Sequence, residues 1–157
     1  ALLSKFEFTV NKKILCSFKF LSDWDKINQP NGIFFAAPET DRKWSGFRFQ
    51  IILESPPKLT RELSYKSVLK KISDMGSGVL SESYAVMRGT QTLVTREVNK
   101  SGLMSKSFWQ ILDEKGDKCL LNLSLAHANK ETLDLLPQLD DKVNGRNSQF
   151  RAIVGLS

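Results

Sequence analysis

The chain has 157 residues, of which 41% are hydrophobic and 25% are charged, a composition typical of one globular domain. This composition excludes a disordered chain, a collagen-like repeat and a coiled coil. The 23 Lys and Arg residues outnumber the 17 Asp and Glu residues and give a net charge of +6. No linker or low-complexity tract divides the chain, so we expect a single domain over residues 1–157.

Alternation of apolar and polar residues predicts most of the strands. The pattern runs over residues 6–10 and again over 14–20, which indicates a β-hairpin. Residues 22–32 are expected to form a loop, because they contain Pro30 and an Asn-Gly turn signal. Further strands are expected at 33–37, 47–53, 79–87, 91–98, 105–112, 119–125 and 149–154.

Helical spacing replaces alternation between Ser64 and Gly76. Apolar residues at i, i+3, i+4, i+7 and i+10 predict an amphipathic helix, with Ser64 as its N-cap and Gly76 as its terminator. A second helical segment is expected from Asn129, carrying Leu133 and Leu136. Strands, a helix, antiparallel strands, a helix and a last strand together predict an α+β fold.

The order of these elements resembles a known family. A hairpin leads into an SDW turn, a strand ends at Pro, and an S-x-x-x-x-L-x-x-I helix ends at Gly. The long hairpin FWQILDEKGDKCLLNLSLA follows, and then a helix and a strand around residues 147–150. This pattern resembles the PsbP family of photosystem II, with its relatives the Ran-binding Mog proteins and the DcrB-type bacterial lipoproteins. The resemblance implies an α/β/α sandwich with a central, mostly antiparallel sheet flanked by helices.

The same resemblance implies a function in docking and assembly rather than in catalysis. Because the bacterial relatives are often exported and lipid-anchored, we expect a non-enzymatic accessory protein that binds a protein partner in an exported, periplasmic or membrane-associated system. The first residues, Ala-Leu-Leu-Ser, lack an initiating Met and are expected to be a processed or trimmed end. No apolar run approaches the roughly 20 residues that a membrane-spanning helix needs.

The sequence gives no support to a catalytic or metal site. His127 is the only histidine, which excludes a multi-histidine metal site. Eight residues separate it from Cys119, about 27 Å in an extended strand, while a pairing of Cys16 with His127 stays open. Phosphate-loop, dinucleotide, C-x-x-C and H-E-x-x-H motifs are missing from the sequence. We therefore expect no cofactor, and we favour buried thiols over a disulfide for the two cysteines.

Two loop tryptophans are the candidate partner contacts. Trp24 and Trp44 lie in predicted loops, and Arg42 and Lys43 directly precede Trp44. Large amphipathic rings contribute much of the binding energy at protein interfaces, so these four residues are predicted to bind the partner. The alternative is that the two rings cover the edge of the core.

Basic residues support a second hypothesis, a polyanion-binding module for nucleic acid or acidic lipid. Its candidate residues are Lys66, Lys70, Lys71, Arg88 and Arg96. Such binding would weaken steeply with salt. The simpler interpretation is a solvated basic surface, because the charge excess is spread along the chain and the longest basic runs are pairs.

Overall fold

The computed structural model describes residues 3–10, 13–21, 23–29, 32–40, 45–54, 63–87, 90–114 and 117–129. These ranges hold nine strands and one helix. The elements are β1 Leu3–Val10, β2 Lys13–Leu21, β3 Asp25–Gln29, β4 Gly32–Ala36, β5 Arg48–Glu54, α1 Tyr65–Asp74, β6 Gly78–Met87, β7 Thr90–Val98, β8 Met104–Glu114 and β9 Asp117–His127.

The strands form two antiparallel sheets. β1 and β2 pair with each other as the predicted hairpin. The other seven strands form one sheet in the order β3-β4-β5-β9-β8-β7-β6. The mostly antiparallel sheet is thus confirmed, whereas the described part of the chain supplies one flanking helix, α1. The second helical segment and the strand at 149–154 lie outside the described residues.

The prediction of a loop over residues 22–32 is wrong, because β3 lies inside it. All five side chains of β3 are exposed, so the sequence shows no apolar alternation there. The strand depends on backbone pairing instead, with Asp25 opposite Ala36 and Gln29 opposite Gly32 on β4. β3 and β4 are therefore consecutive antiparallel strands within the range predicted as a loop.

Local hydrogen bonds define both ends of α1. The Ser67 backbone N–H donates to the Ser64 hydroxyl at 3.1 Å, and the Ser64 backbone N–H donates to the Ser67 hydroxyl at 2.9 Å. This reciprocal pair is a capping box, which satisfies donors that the first turn leaves unpaired. Gly76 has φ +84°, a left-handed conformation that ends a helix at little cost for glycine. The predicted helix and both of its end signals are confirmed.

Each face of the seven-stranded sheet carries its own apolar cluster. On the face that α1 covers, which we call the helix face, Leu93, Trp109 and Leu120 pack against Val68 and Ile72 of α1. The opposite face carries the larger cluster, with Phe and Leu residues at alternate positions of β5 and β9. Its buried members are Trp24, Ile33, Phe35, Phe47, Phe49, Ile51, Leu53, Phe108, Cys119, Leu121, Leu123 and Leu125. The alternation of period two therefore divides the buried side chains between two layers.

A buried polar cluster crosses the helix face beside α1. The Glu97 carboxylate accepts hydrogen bonds from the hydroxyls of Ser105 and Ser107, both at 3.1 Å. Ser107 and Ser124 are also hydrogen-bonded to each other at 3.1 Å. Since Glu97, Ser105, Ser107 and Ser124 lie on three adjacent strands, hydrogen bonds between their side chains join β7, β8 and β9 as well as the backbone ladders.

Candidate interaction surface

Strand β6 is one edge of the seven-stranded sheet. It pairs with β7 along one side, and no strand within the described ranges pairs with its other side. Among the side chains described for β6, four large apolar ones are exposed: Val79 by 37%, Leu80 by 53%, Tyr84 by 52% and Val86 by 76%. These four residues are called the β6 surface below.

The sequence of the β6 strand carries little of the usual protection of a sheet edge. Natural edge strands commonly carry Lys or Pro, or are very short, which prevents pairing with another chain. β6 is ten residues long with the sequence GVLSESYAVM, in which Glu82 is the only charged residue. A register shift between Val79 and Ser81 bends the beginning of the strand. From Ser81 to Met87 the register is regular, so this part of the edge is suited to accept an additional strand.

Helix α1 holds one side of the β6 surface in place. The Tyr65 ring meets the Tyr84 ring edge-on, with centroids 5.8 Å apart. The Tyr65 hydroxyl donates to the Gln91 carbonyl and accepts a hydrogen bond of 3.4 Å from the Ile111 backbone N–H. Tyr65 therefore connects α1 to β7 and β8, and its ring packs against the Tyr84 ring.

Of the four predicted partner contacts, Trp24 lies at the other end of the sheet and the other three lie outside the described residues. Trp24 is only 5% exposed and belongs to the large cluster of the opposite face, at the turn that leads into β3. Arg42, Lys43 and Trp44 lie outside the described residues. β3 and β6 are separated by six inter-strand spacings, about 29 Å. The structure therefore keeps the Trp24 turn and the β6 surface apart.

The predicted polyanion residues do not form one surface. Lys66 and Lys70 are exposed on α1, whereas Lys71 is half-buried and its ammonium group forms an ion pair with the Glu54 carboxylate. Arg96 is half-buried and alternates with Thr95 and Glu97, which places it on the face away from α1. Arg88 lies outside the described residues.

Cys119 and His127 are also kept apart, and the Cys16 side chain lies outside the described residues. Cys119 and His127 lie near the two ends of the same strand, β9, as the sequence predicts. The His127 Nδ1 accepts a hydrogen bond of 2.8 Å from the Asn129 backbone N–H, and its ring packs on Phe47. The side chains described here include no group of three His, Cys, Asp or Glu residues arranged to hold a metal ion.

Sequence reasoning missed both the β6 surface and the polar cluster. In β6, apolar residues occur on both faces of the strand, so alternation does not show which of them are buried. The missing Lys and Pro were a usable signal. The polar cluster becomes visible only when the register places Thr95, Ser107 and Ser124 beside one another.

Comparison with solved structures identifies the fold. The chain superposes on cyanobacterial PsbP (CyanoP) from Synechocystis with a TM-score of 0.58 and 10% identity, over 99% of this chain and 91% of that chain. LpqN of Mycobacterium tuberculosis, which is involved in cell envelope biogenesis, superposes with a TM-score of 0.60 and 13% identity, over 99% of this chain and 90% of LpqN. The Ran-binding protein Mog1p of Saccharomyces cerevisiae superposes with a TM-score of 0.54 and 10% identity, over 99% of this chain and 95% of Mog1p. These structures confirm the predicted PsbP/Mog-like fold.

The sequence comparisons add nothing to this result. No protein-family model and no curated protein matches the chain. In the described ranges, no helix combines the length and the apolar character that crossing a membrane requires.

Proposed function

We propose that this protein is a non-enzymatic accessory protein that binds a protein partner through the β6 surface. The exposed apolar edge of β6 carries this proposal. Tyr84 and Val86 are more than half exposed, and they lie two positions apart on one face of the strand, where exposed apolar side chains favour an interaction site.

The geometry favours a partner segment in an extended conformation. Such a segment can add to the outer edge of β6 as a further strand, with backbone hydrogen bonds that supply affinity. Its side chains would meet Tyr84 and Val86 on the helix face, where α1 also exposes Lys66 and Lys70. We therefore propose a partner segment that combines apolar residues with acidic ones.

The proposed setting is an exported or membrane-associated system, with a periplasmic lipoprotein as the specific form. Among the proteins that share this fold, LpqN is involved in cell envelope biogenesis, which supports this setting. The Ran-binding Mog1p supports a partner-binding function more generally.

The test is quantitative partner capture from extracts of the source cells, comparing the wild type with Val86→Lys. A lysine on the edge strand opposes the addition of another strand, and Val86 is exposed enough that folding should be unaffected. We expect the wild type to capture one dominant protein and Val86→Lys to capture at least about tenfold less of it. This difference should be the same with and without nuclease treatment of the extract.

The matched control is Ile27→Lys on β3, because Ile27 is 62% exposed on the other edge of the sheet. This variant should capture the partner as the wild type does. If Trp44→Ala abolishes capture while Val86→Lys retains it, the partner binds the predicted tryptophan loops and the β6 assignment is wrong. A dominant nuclease-sensitive eluate would instead support the polyanion hypothesis.

A further inference from the structure

Helix α1 covers only part of the helix face, and an open groove of about 620 Å³ remains over β3, β4, β5 and β9. Ile27, Phe34, Ala36 and Ala126 form much of its lining. Ile27 is 62% exposed, which shows that this part of the face is open to solvent. The volume lies in the range of about 300–1,000 Å³ that is typical of small-molecule sites.

The described lining of the groove contains one cation, which lies in its floor. Arg48 on β5 is exposed and stands directly between Ala36 on β4 and Ala126 on β9. Because both neighbours carry only a methyl group, the guanidinium is accessible from the groove. Within the described residues, no carboxylate forms an ion pair with Arg48.

Among the described residues that line the groove, Asp25 is the one anion, and it lies on the rim. Asp25 on β3 is opposite Ala36, so two inter-strand spacings, about 9.6 Å, separate it from Arg48. The apolar residues Ile27 and Phe34 occupy the next row of the same face. The described lining of the groove therefore combines a mostly apolar surface, with Gln50 and Ser124 as polar members, and one positive centre, and it has a negative centre further out.

We propose that the groove binds a small amphipathic monoanion, such as a carboxylic acid with an aliphatic body. The carboxylate binds the Arg48 guanidinium, whose planar fork matches it, and the aliphatic body covers Ile27 and Phe34. Asp25 disfavours a second negative charge on the ligand. This inference is independent of the β6 surface, which lies at the far edge of the sheet.

The experiment measures binding of decanoate, free in solution below its micelle-forming concentration, by titration calorimetry. Chemical shifts of the Ile27, Ala36 and Ala126 methyl groups locate the bound molecule. We expect decanoate to bind and to shift these signals, whereas decyltrimethylammonium, which has the same chain length and the opposite charge, binds at least about tenfold more weakly.

Two substitutions of exposed residues test the charges in opposite directions. Arg48→Gln should weaken decanoate binding about tenfold, and Asp25→Asn should strengthen it severalfold. Circular dichroism checks that both variants fold, and Lys66→Gln on α1 is a charge control that should change nothing. The proposal is overturned if decanoate and decyltrimethylammonium bind equally, if Arg48→Gln has no effect, or if binding requires decanoate in vesicles.

Discussion

The Glu97 carboxylate accepts a hydrogen bond of 3.1 Å from the Ser107 hydroxyl in the interior of the helix face. Both side chains are buried, and Ser105 donates to the same carboxylate oxygen. A buried acid of this kind is tolerated because several donors replace its lost hydration.

We expect Glu97→Ala to lower the free energy of unfolding by about 2 kcal/mol, because it leaves the buried Ser107 hydroxyl and the half-buried Ser105 hydroxyl without their acceptor. Urea denaturation measures this loss. Glu82→Ala is the control, since Glu82 is exposed on β6, and it should change stability by no more than about 0.5 kcal/mol. Equal losses in the two variants would contradict the stabilising effect of the polar cluster.

Trp24 is expected to contribute to stability through its packing in the core. Its side chain is buried in the cluster of the opposite face, so Trp24→Ala should cost about 3–5 kcal/mol of folding free energy. Thermal and urea denaturation check this value, and Trp24→Phe should recover part of the loss. A Trp24→Ala variant with wild-type stability that fails to capture the partner would instead make the ring a direct contact.

Gly46 meets two separate constraints. Its φ is +85°, and a Cβ atom there would lie 2.8 Å from the His127 Nε2. The His127 ring cannot easily move away, because it packs on Phe47 and accepts a hydrogen bond from the Asn129 backbone. Gly46→Ala should therefore cost more stability than the backbone strain alone.

Gly102 is the matched control for Gly46, because it has φ +84° and no neighbouring atom within 4 Å of an added Cβ. Gly102→Ala should cost about 1 kcal/mol from the backbone alone. The excess in Gly46→Ala should shrink in a His127→Ala background, as measured by a double-mutant cycle. Identical costs at the two glycines would show that the His127 ring moves freely.

The polyanion hypothesis can be tested at Lys66 and Lys70, because both side chains are exposed on α1. If Lys66 and Lys70 bind phosphates, replacing both by Gln should reduce the dependence of log affinity on log salt concentration by about 1.8 for duplex DNA. Arg96→Gln should leave this slope unchanged, because Arg96 lies on the other face of the sheet. No measurable DNA binding at about 50 mM salt would end the hypothesis.

Local signals in the sequence were sufficient for α1 and for the alternating strands. Ser64, Gly76 and the apolar spacing between them act through contacts within a few residues, and the structure has them as predicted. β3 was missed because its stability comes from a neighbouring strand and not from its own side chains. β8 and β9 are both longer than predicted, because the strand register places Asp113 opposite Lys118 and Glu114 opposite Asp117.

The candidate surfaces depend on information that no local pattern contains. Arg48, Ala36 and Ala126 become neighbours only through the register of three strands. Exposure of Val86 depends on β6 being at the sheet edge, which is a property of strand order. The sequence predicted the alternating strands, but it could not show which of their described side chains are exposed.

The pairing of β5 with β9 has a consequence for how the chain folds. β3, β4 and β5 form one meander of consecutive strands, and β6 to β9 form another. The two are joined where Gln50 donates to Asn122, residues 72 positions apart in sequence. Each meander closes only short loops, whereas joining them closes a long one at a larger entropic cost. We therefore expect the pairing of β5 with β9 to be the slow step in folding. Substitutions along this pair of strands should slow refolding more than substitutions within either meander.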